Sequence, residues 1–106
     1  MFDDKMHIDN NGIQHWQDSD GKCHRDDGLP AIIGTDNKWK SWWVHGRRHR
    51  IGAPAVEAST HGPYYKDYWF VNGNNITIEV EDWLNQTGYK LPLHDDAVAE
   101  FKLRWL

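Results

Sequence analysis

Cysteine is almost absent from this chain, and long apolar runs are missing altogether. The single Cys23 among 106 residues has no partner for an internal disulfide and cannot build a cysteine-rich zinc site alone. That usage fits a reducing compartment. No apolar stretch approaches the roughly 20 residues of a membrane-spanning helix, and Met1-Phe2-Asp3-Asp4-Lys5 has neither the basic start nor the apolar stretch of a signal peptide. The expectation is a soluble chain with no membrane partner, retained where it is made. An excess of positive charge is missing too: the formal net charge is −4, which argues against a general nucleic-acid binder.

What the chain has in abundance is aromatic surface. Seven Trp (Trp16, Trp39, Trp42, Trp43, Trp69, Trp83 and Trp105), four Tyr and three Phe exclude a disordered tail, whose composition lacks such residues. At roughly 100–200 residues per domain, the length predicts one compact domain. Charge is uneven within it. Residues 1–20 and 51–106 are acidic, whereas residues 21–50 hold seven Lys or Arg against three Asp. Lys22, Arg25, Lys38, Lys40, Arg47, Arg48 and Arg50 thus form a basic block that an anionic partner could meet.

Internal repetition is the strongest signal. Asp20-Gly21-Lys22-Cys23-His24-Arg25, followed by Gly28-Leu29-Pro30-Ala31-Ile32, is echoed by His45-Gly46-Arg47-Arg48-His49-Arg50, followed by Gly52-Ala53-Pro54-Ala55-Val56. The offset is 25 residues at the first glycine and at His-Arg. A third copy starts at Tyr68-Trp69-Phe70-Val71-Asn72-Gly73, matching Ser41-Trp42-Trp43-Val44-His45-Gly46, and breaks off. Asp20-Gly21, His45-Gly46 and Asn72-Gly73 each put Gly where a two-residue hairpin needs positive φ. His61-Gly62-Pro63 and the other glycine clusters punctuate the far ends. The pattern predicts short antiparallel strands near residues 6–9, 13–17, 22–25, 31–34, 38–44, 47–50, 55–58, 65–71 and 74–76.

From Thr77 the apolar period lengthens. Val80, Trp83, Leu84 and Thr87 recur at helical spacing, Thr77 is placed to cap, and Gly88 is a suitable left-handed stop. Asp95 is placed to cap a second helix through about Glu100, and the alternation of residues 101–106 is compatible with a strand. The fold expected is mainly β: an antiparallel β-hairpin meander over residues 1–76 with a small α-helical C-terminal cap over 77–106, which closes an open sheet edge.

The unit Trp-x-x-x-Gly-x-x-His-Arg-x-x-Gly-x-Pro-Ala, running with one residue deleted before its second Gly from Trp42 to Ala55 and with small length changes from Trp16 to Ala31, resembles the His-Arg-x-Asp-Gly-Pro-Ala repeats of uncharacterised tailed-phage proteins. Those are similar to MORN-type repeats, in which each unit is a β-hairpin in an elongated sheet. The resemblance covers about residues 15–76. This chain departs from it at Leu29 and Ala53, which precede the prolines, and at Ile51, which stands where the acid Asp26 is found. The resemblance implies a small phage protein in the host bacterial cytoplasm and transfers no chemistry.

Repetition separates scaffold from surface. His24/His49 and Arg25/Arg50 recur, which suits structural roles in which each Arg ties a turn or pairs an acid and each His packs on a Trp. Trp42 and Trp69 recur as core. Trp39, Lys40, Trp43, Arg47, Arg48, Tyr64 and Tyr65 recur less faithfully and are the candidate partner-binding residues, since Trp, Tyr and Arg anchor interfaces. No catalytic constellation is legible: Cys23 and His24 point to opposite strand faces, the serines lack an elbow motif, and the His24/His45/His49 spacing is that of a repeat, not of metal ligands. The expectation is a non-enzymatic binding protein without cofactor or metal, an inhibitor or adaptor docking on a host protein such as a defence or nucleic-acid-processing factor. The alternative is a binder of nucleotide or single-stranded nucleic acid, with Trp and Tyr stacking on bases and Arg meeting phosphates. Open sheet edges also leave room for a homo-oligomer.

Overall fold

The computed structural model describes residues 5–59 and 66–106. Among them lie nine short strands, β1 (Lys5–Ile8), β2 (Gln14–Gln17), β3 (Ile32–Ile33), β4 (Trp39–Ser41), β5 (Trp43–Val44), β6 (Arg47–Arg48), β7 (Val56–Ala58), β8 (Phe70–Val71) and β9 (Asn74–Asn75), then helices α1 (Thr77–Thr87) and α2 (Asp95–Trp105). β1, β2, β3, β4 and β7 form one antiparallel sheet in that order, while β5–β6 and β8–β9 are separate hairpins. The chain is mainly antiparallel β with helices at its C-terminal end, as the sequence predicts.

The strands are shorter than the sequence pattern predicts, and the cause sits at the tryptophans. The expected strand 38–44 splits at Trp42, whose N–H donates to the Ala55 carbonyl (2.7 Å) and whose carbonyl accepts from His49 N–H (3.0 Å). Before Trp42 the chain pairs with β7, and after it with β6. Trp16 divides its bonds the same way, donating to Ala31 (2.8 Å) and accepting from His24 (3.1 Å), and the Trp69 carbonyl accepts from Ile76 (2.8 Å). The expected strand 22–25 reduces to one bridge, Cys23 to Gln17, and the described part of 65–71 to β8 and a bridge from Tyr68 to Val56. The start of that last expected strand and the His61-Gly62-Pro63 turn lie outside the described residues.

Turn chemistry follows the residues. His45-Gly46 (φ 46° and 87°) and Asn72-Gly73 (φ 50° and 83°) are two-residue turns with both central residues left-handed, the geometry that matches strand twist. Asp20-Gly21 is not such a turn. There the Asp18 carboxylate accepts the N–H groups of Asp20 (2.9 Å) and Lys22 (3.0 Å), building a longer loop around the side chain. Asp9 does the same for Asn11 and Ile13.

The helices are more than an edge cover. Val80 and Trp83 of α1 and Phe101 of α2 are buried together with Trp69 and Val71 of the last hairpin, so this apolar cluster spans residues on both sides of position 77. α1 ends where Gly88 (φ 76°) donates to the Leu84 carbonyl at 2.8 Å. Thr77 is not its cap: it is the first helical residue, buried, with its hydroxyl donating to Asn75 Oδ1 (2.6 Å) and accepting from Trp69 N–H (2.9 Å). Asp95 likewise lies inside α2, which His94 precedes. Residues 101–105 are helical, not a strand. Ala97 and Phe101 bury at i, i+4 and Trp105 continues that stripe, while Leu103 is 87% exposed.

Candidate partner-binding site

The residues repeated in sequence repeat their bonds. Arg25 Nη1 donates to the Pro30 carbonyl (3.2 Å) and Arg50 Nη1 to the Pro54 carbonyl (3.1 Å). Each guanidinium also stands over a tryptophan ring, Arg25 on Trp16 at 3.8 Å and Arg50 on Trp42 at 3.6 Å. Arg50 adds Glu57 at 2.9 Å. The histidines differ from expectation, for their ring nitrogens serve the backbone of the next hairpin. His24 Nδ1 accepts the His45 N–H and His49 Nδ1 accepts the Asn72 N–H, both at 3.0 Å. In each unit it is the Arg that stands over the Trp ring.

Accepting at Nδ1 leaves His24 Nε2 to carry the proton donated to Asp26 (2.7 Å). Its ring stacks on His45 at 3.9 Å, and His45 Nδ1 bonds Asp18 at 2.7 Å. That contact first, then the Lys22 amide, holds the buried Asp18 carboxyl below its usual range. Burial pushes the His49 imidazole below 6.5 and the Cys23 thiol above its ordinary value, so Cys23 is a poor thiolate. Among the described residues, no three of His, Cys, Asp and Glu are placed to hold a metal.

The structure divides the candidate surface in two. Trp43, Arg47 and Arg48 come together on the β5–β6 hairpin, where Val44 faces Arg47 and Trp43 faces Arg48. The Arg48 guanidinium stands 4.9 Å from the Trp43 ring and 5.3 Å from Phe70, and Trp43 Nε1 donates to Ser41 Oγ (2.8 Å). Arg47 and Arg48 are exposed. Trp39 and Lys40 instead sit in the five-stranded sheet, beyond the split at Trp42. The half-buried Trp39 ring lies against Gly34, where an added Cβ would collide with it. Exposed Lys40 is opposite Ile33 and Glu57. Tyr64 and Tyr65 lie outside the described residues.

A groove that sequence reasoning missed runs between the first and second units. It encloses about 460 Å³ and is lined by Leu29, Val44, Ile51 and the two adjacent tryptophans, with Asp26, Asp27 and both repeated arginines around it. The only signal available was that Leu29 and Ile51 break the repeat. Compared with known proteins, the chain matches no family model, no curated protein and no solved structure.

Proposed function

We propose that the chain is a non-enzymatic protein-binding module that docks through the β5–β6 hairpin. The observation carrying this reading is the exposed Arg47-Arg48 pair, with Arg48 braced between the Trp43 and Phe70 rings. A guanidinium held by two rings loses less freedom on contact than a free one, and Arg and Trp are the residues that dominate interface energies. The recurring bonds of the Trp, His and Arg positions support a MORN-like hairpin meander as the scaffold. Resemblance to tailed-phage proteins favours an inhibitor or adaptor acting in the bacterial cytoplasm on a host defence or nucleic-acid-processing protein. β1 ends the five-stranded sheet among the described residues, so pairing of a second copy along it is compatible with the same reading.

A nucleotide or single-stranded nucleic acid is the second reading, drawn from the cations Arg47, Arg48 and Lys40. It is the weaker one, because Trp43 already gives one ring face to Arg48, Trp39 lies on Gly34, and Lys40 and Arg47 stand in separate sheets. Capture of partners from bacterial lysate by the tagged chain, identified by mass spectrometry, tests the first reading. Arg47→Glu/Arg48→Glu is expected to lose a specific partner, and retention of every partner overturns it. Salt-sensitive quenching of Trp fluorescence by an oligonucleotide would instead establish the second.

A further inference from the structure

The two full units share a loop but differ in what covers it. In the second unit Gly52 has φ 76°, and a Cβ built there would stand 3.2 Å from Cγ2 of Val98 on α2. Beside it Trp69 packs 5.7 Å from Phe101, and Val71 is only 4% exposed. In the first unit Gly28 has the same backbone, φ 70°, and the same arginine-to-proline tie, yet among the described residues nothing lies within 4 Å of its Cβ position. Val44, the counterpart of Val71, is 40% exposed, and Leu29 and Ile51 beside it are exposed as well. The groove between the first two units is therefore an open copy of the one that α2 fills at the next step along the chain.

We infer that this groove binds an amphipathic helix of a partner protein, seated over Gly28 as α2 is seated over Gly52. The inference rests on the protein-binding reading and assigns it a second contact with its own chemistry. A helix suits the place because its backbone groups are satisfied internally, so it needs apolar floor and no strand edge. Apolar residues at i and i+3 reach the glycine and Val44, as Val98 stands over Gly52 and Phe101 shares the buried cluster of Val71 at the second unit. Charge sets the flank: Arg25 and Arg50 are tied to Pro30, Pro54 and Glu57 and Asp26 to His24, which leaves Asp27 as the acid this loop adds where the second has Ile51 alone, so the helix that fits bears a Lys or Arg opposite Asp27. A second copy's α2 does not qualify, since Ala97 and Phe101 are fully buried in their own core and donating them would open it.

The probe is a synthetic peptide of residues 91–106 carrying Asp95→Lys and Asp96→Lys, titrated into the full isotope-labelled chain. Saturable amide shifts at Gly28, Val44 and Ile51 are expected, with affinity falling about tenfold or more for a peptide also carrying Val98→Glu and Phe101→Glu. Val44→Glu/Ile51→Glu in the protein is expected to abolish the shifts. Asp27→Asn, which tolerates the left-handed backbone there (φ 65°), should weaken the lysine peptide severalfold and leave the unmodified peptide unaffected. No saturable shift, shifts confined to Arg47 and Arg48, or binding indifferent to all these variants overturns the groove assignment. If a lysate partner is lost in Arg47→Glu/Arg48→Glu while the peptide never binds, hairpin docking stands and the groove assignment falls. If the peptide binds the groove and no partner depends on those arginines, the reverse holds.

Discussion

Arg50 holds its guanidinium 3.6 Å from the centre of the Trp42 ring while its Nη1 reaches the Pro54 carbonyl at 3.1 Å and Glu57 at 2.9 Å. One side chain thereby fixes the tryptophan at which the strand changes partner and the loop that follows. Lysine offers a point charge without the planar fork. Arg50→Lys is expected to cost about 2 kcal/mol, read as a lower urea midpoint. Arg47→Lys on the exposed hairpin should stay within about 0.5 kcal/mol of the parent chain. Equal effects would remove the structural role of the stack.

Gly34 has ordinary extended backbone (φ −69°, ψ 167°), so its need for glycine is purely the Trp39 ring against it. Gly34→Ala is expected to destabilise by about 1–3 kcal/mol through overpacking and to move the Trp39 indole signal in NMR spectra. Gly88→Ala meets nothing within 4 Å among the described residues but sits at φ 76°, and should cost about 1 kcal/mol from backbone alone, with that indole signal unmoved.

Asp18 ties a hairpin loop to His45, and its carboxyl titrates below the ordinary aspartate value of 3.8. An acid with a depressed folded pKa stabilises the fold above its unfolded value, and that contribution disappears as pH falls from about 3.8 through the folded value. Urea midpoints should decline over that window. Asp18→Asn is expected to start lower and to decline less steeply, and an unchanged slope would contradict the assignment.

His49 titrates in a separate range. Burial lowers its folded pKa below 6.5, so between that value and the folded one the unfolded chain binds the proton and the native chain does not. Stability therefore falls as pH drops below about 6.5. His49→Gln should flatten the stability profile between neutral pH and the folded pKa; a profile as steep as the parent's refutes it.

Phe101 is fully buried and touches both the last hairpin, through Trp69 at 5.7 Å, and α2's own Trp105 at 4.9 Å. Phe101→Ala is expected to cost about 3–5 kcal/mol. Amide exchange should accelerate at Val71 as well as in α2. Loss confined to α2 would show that the helices merely cover the sheet.

The repeat, the turns at His45-Gly46 and Asn72-Gly73 and the end of α1 at Gly88 were legible because each depends on residues close in sequence. Splitting of the strand at Trp42 was not, since it follows from bonds to Ala55 and His49 that no alternation pattern encodes. The end of α2 was ambiguous for a different reason. Phe101, Leu103 and Trp105 alternate like a strand, and only the exposure of Leu103 shows that Phe101 and Trp105 belong to an i, i+4 stripe. Of the candidate surface, Trp43, Arg47 and Arg48 fall on one hairpin because they are neighbours in sequence, whereas Leu29, Val44 and Ile51 form a groove only once two units lie side by side.

The carbonyls of Trp16, Trp42 and Trp69 each accept an amide seven or eight residues ahead, from His24, His49 and Ile76, and only the last position is followed by helices. Such an array has a growth point as well as a terminus. A further 25-residue unit duplicated at the offset between His24 and His49 would inherit bonds on both sides and push the helical end outward unchanged, adding one more loop of the Gly28 type with each insertion. Chain length and the number of open grooves are in this way a single variable, adjustable without redesigning the core.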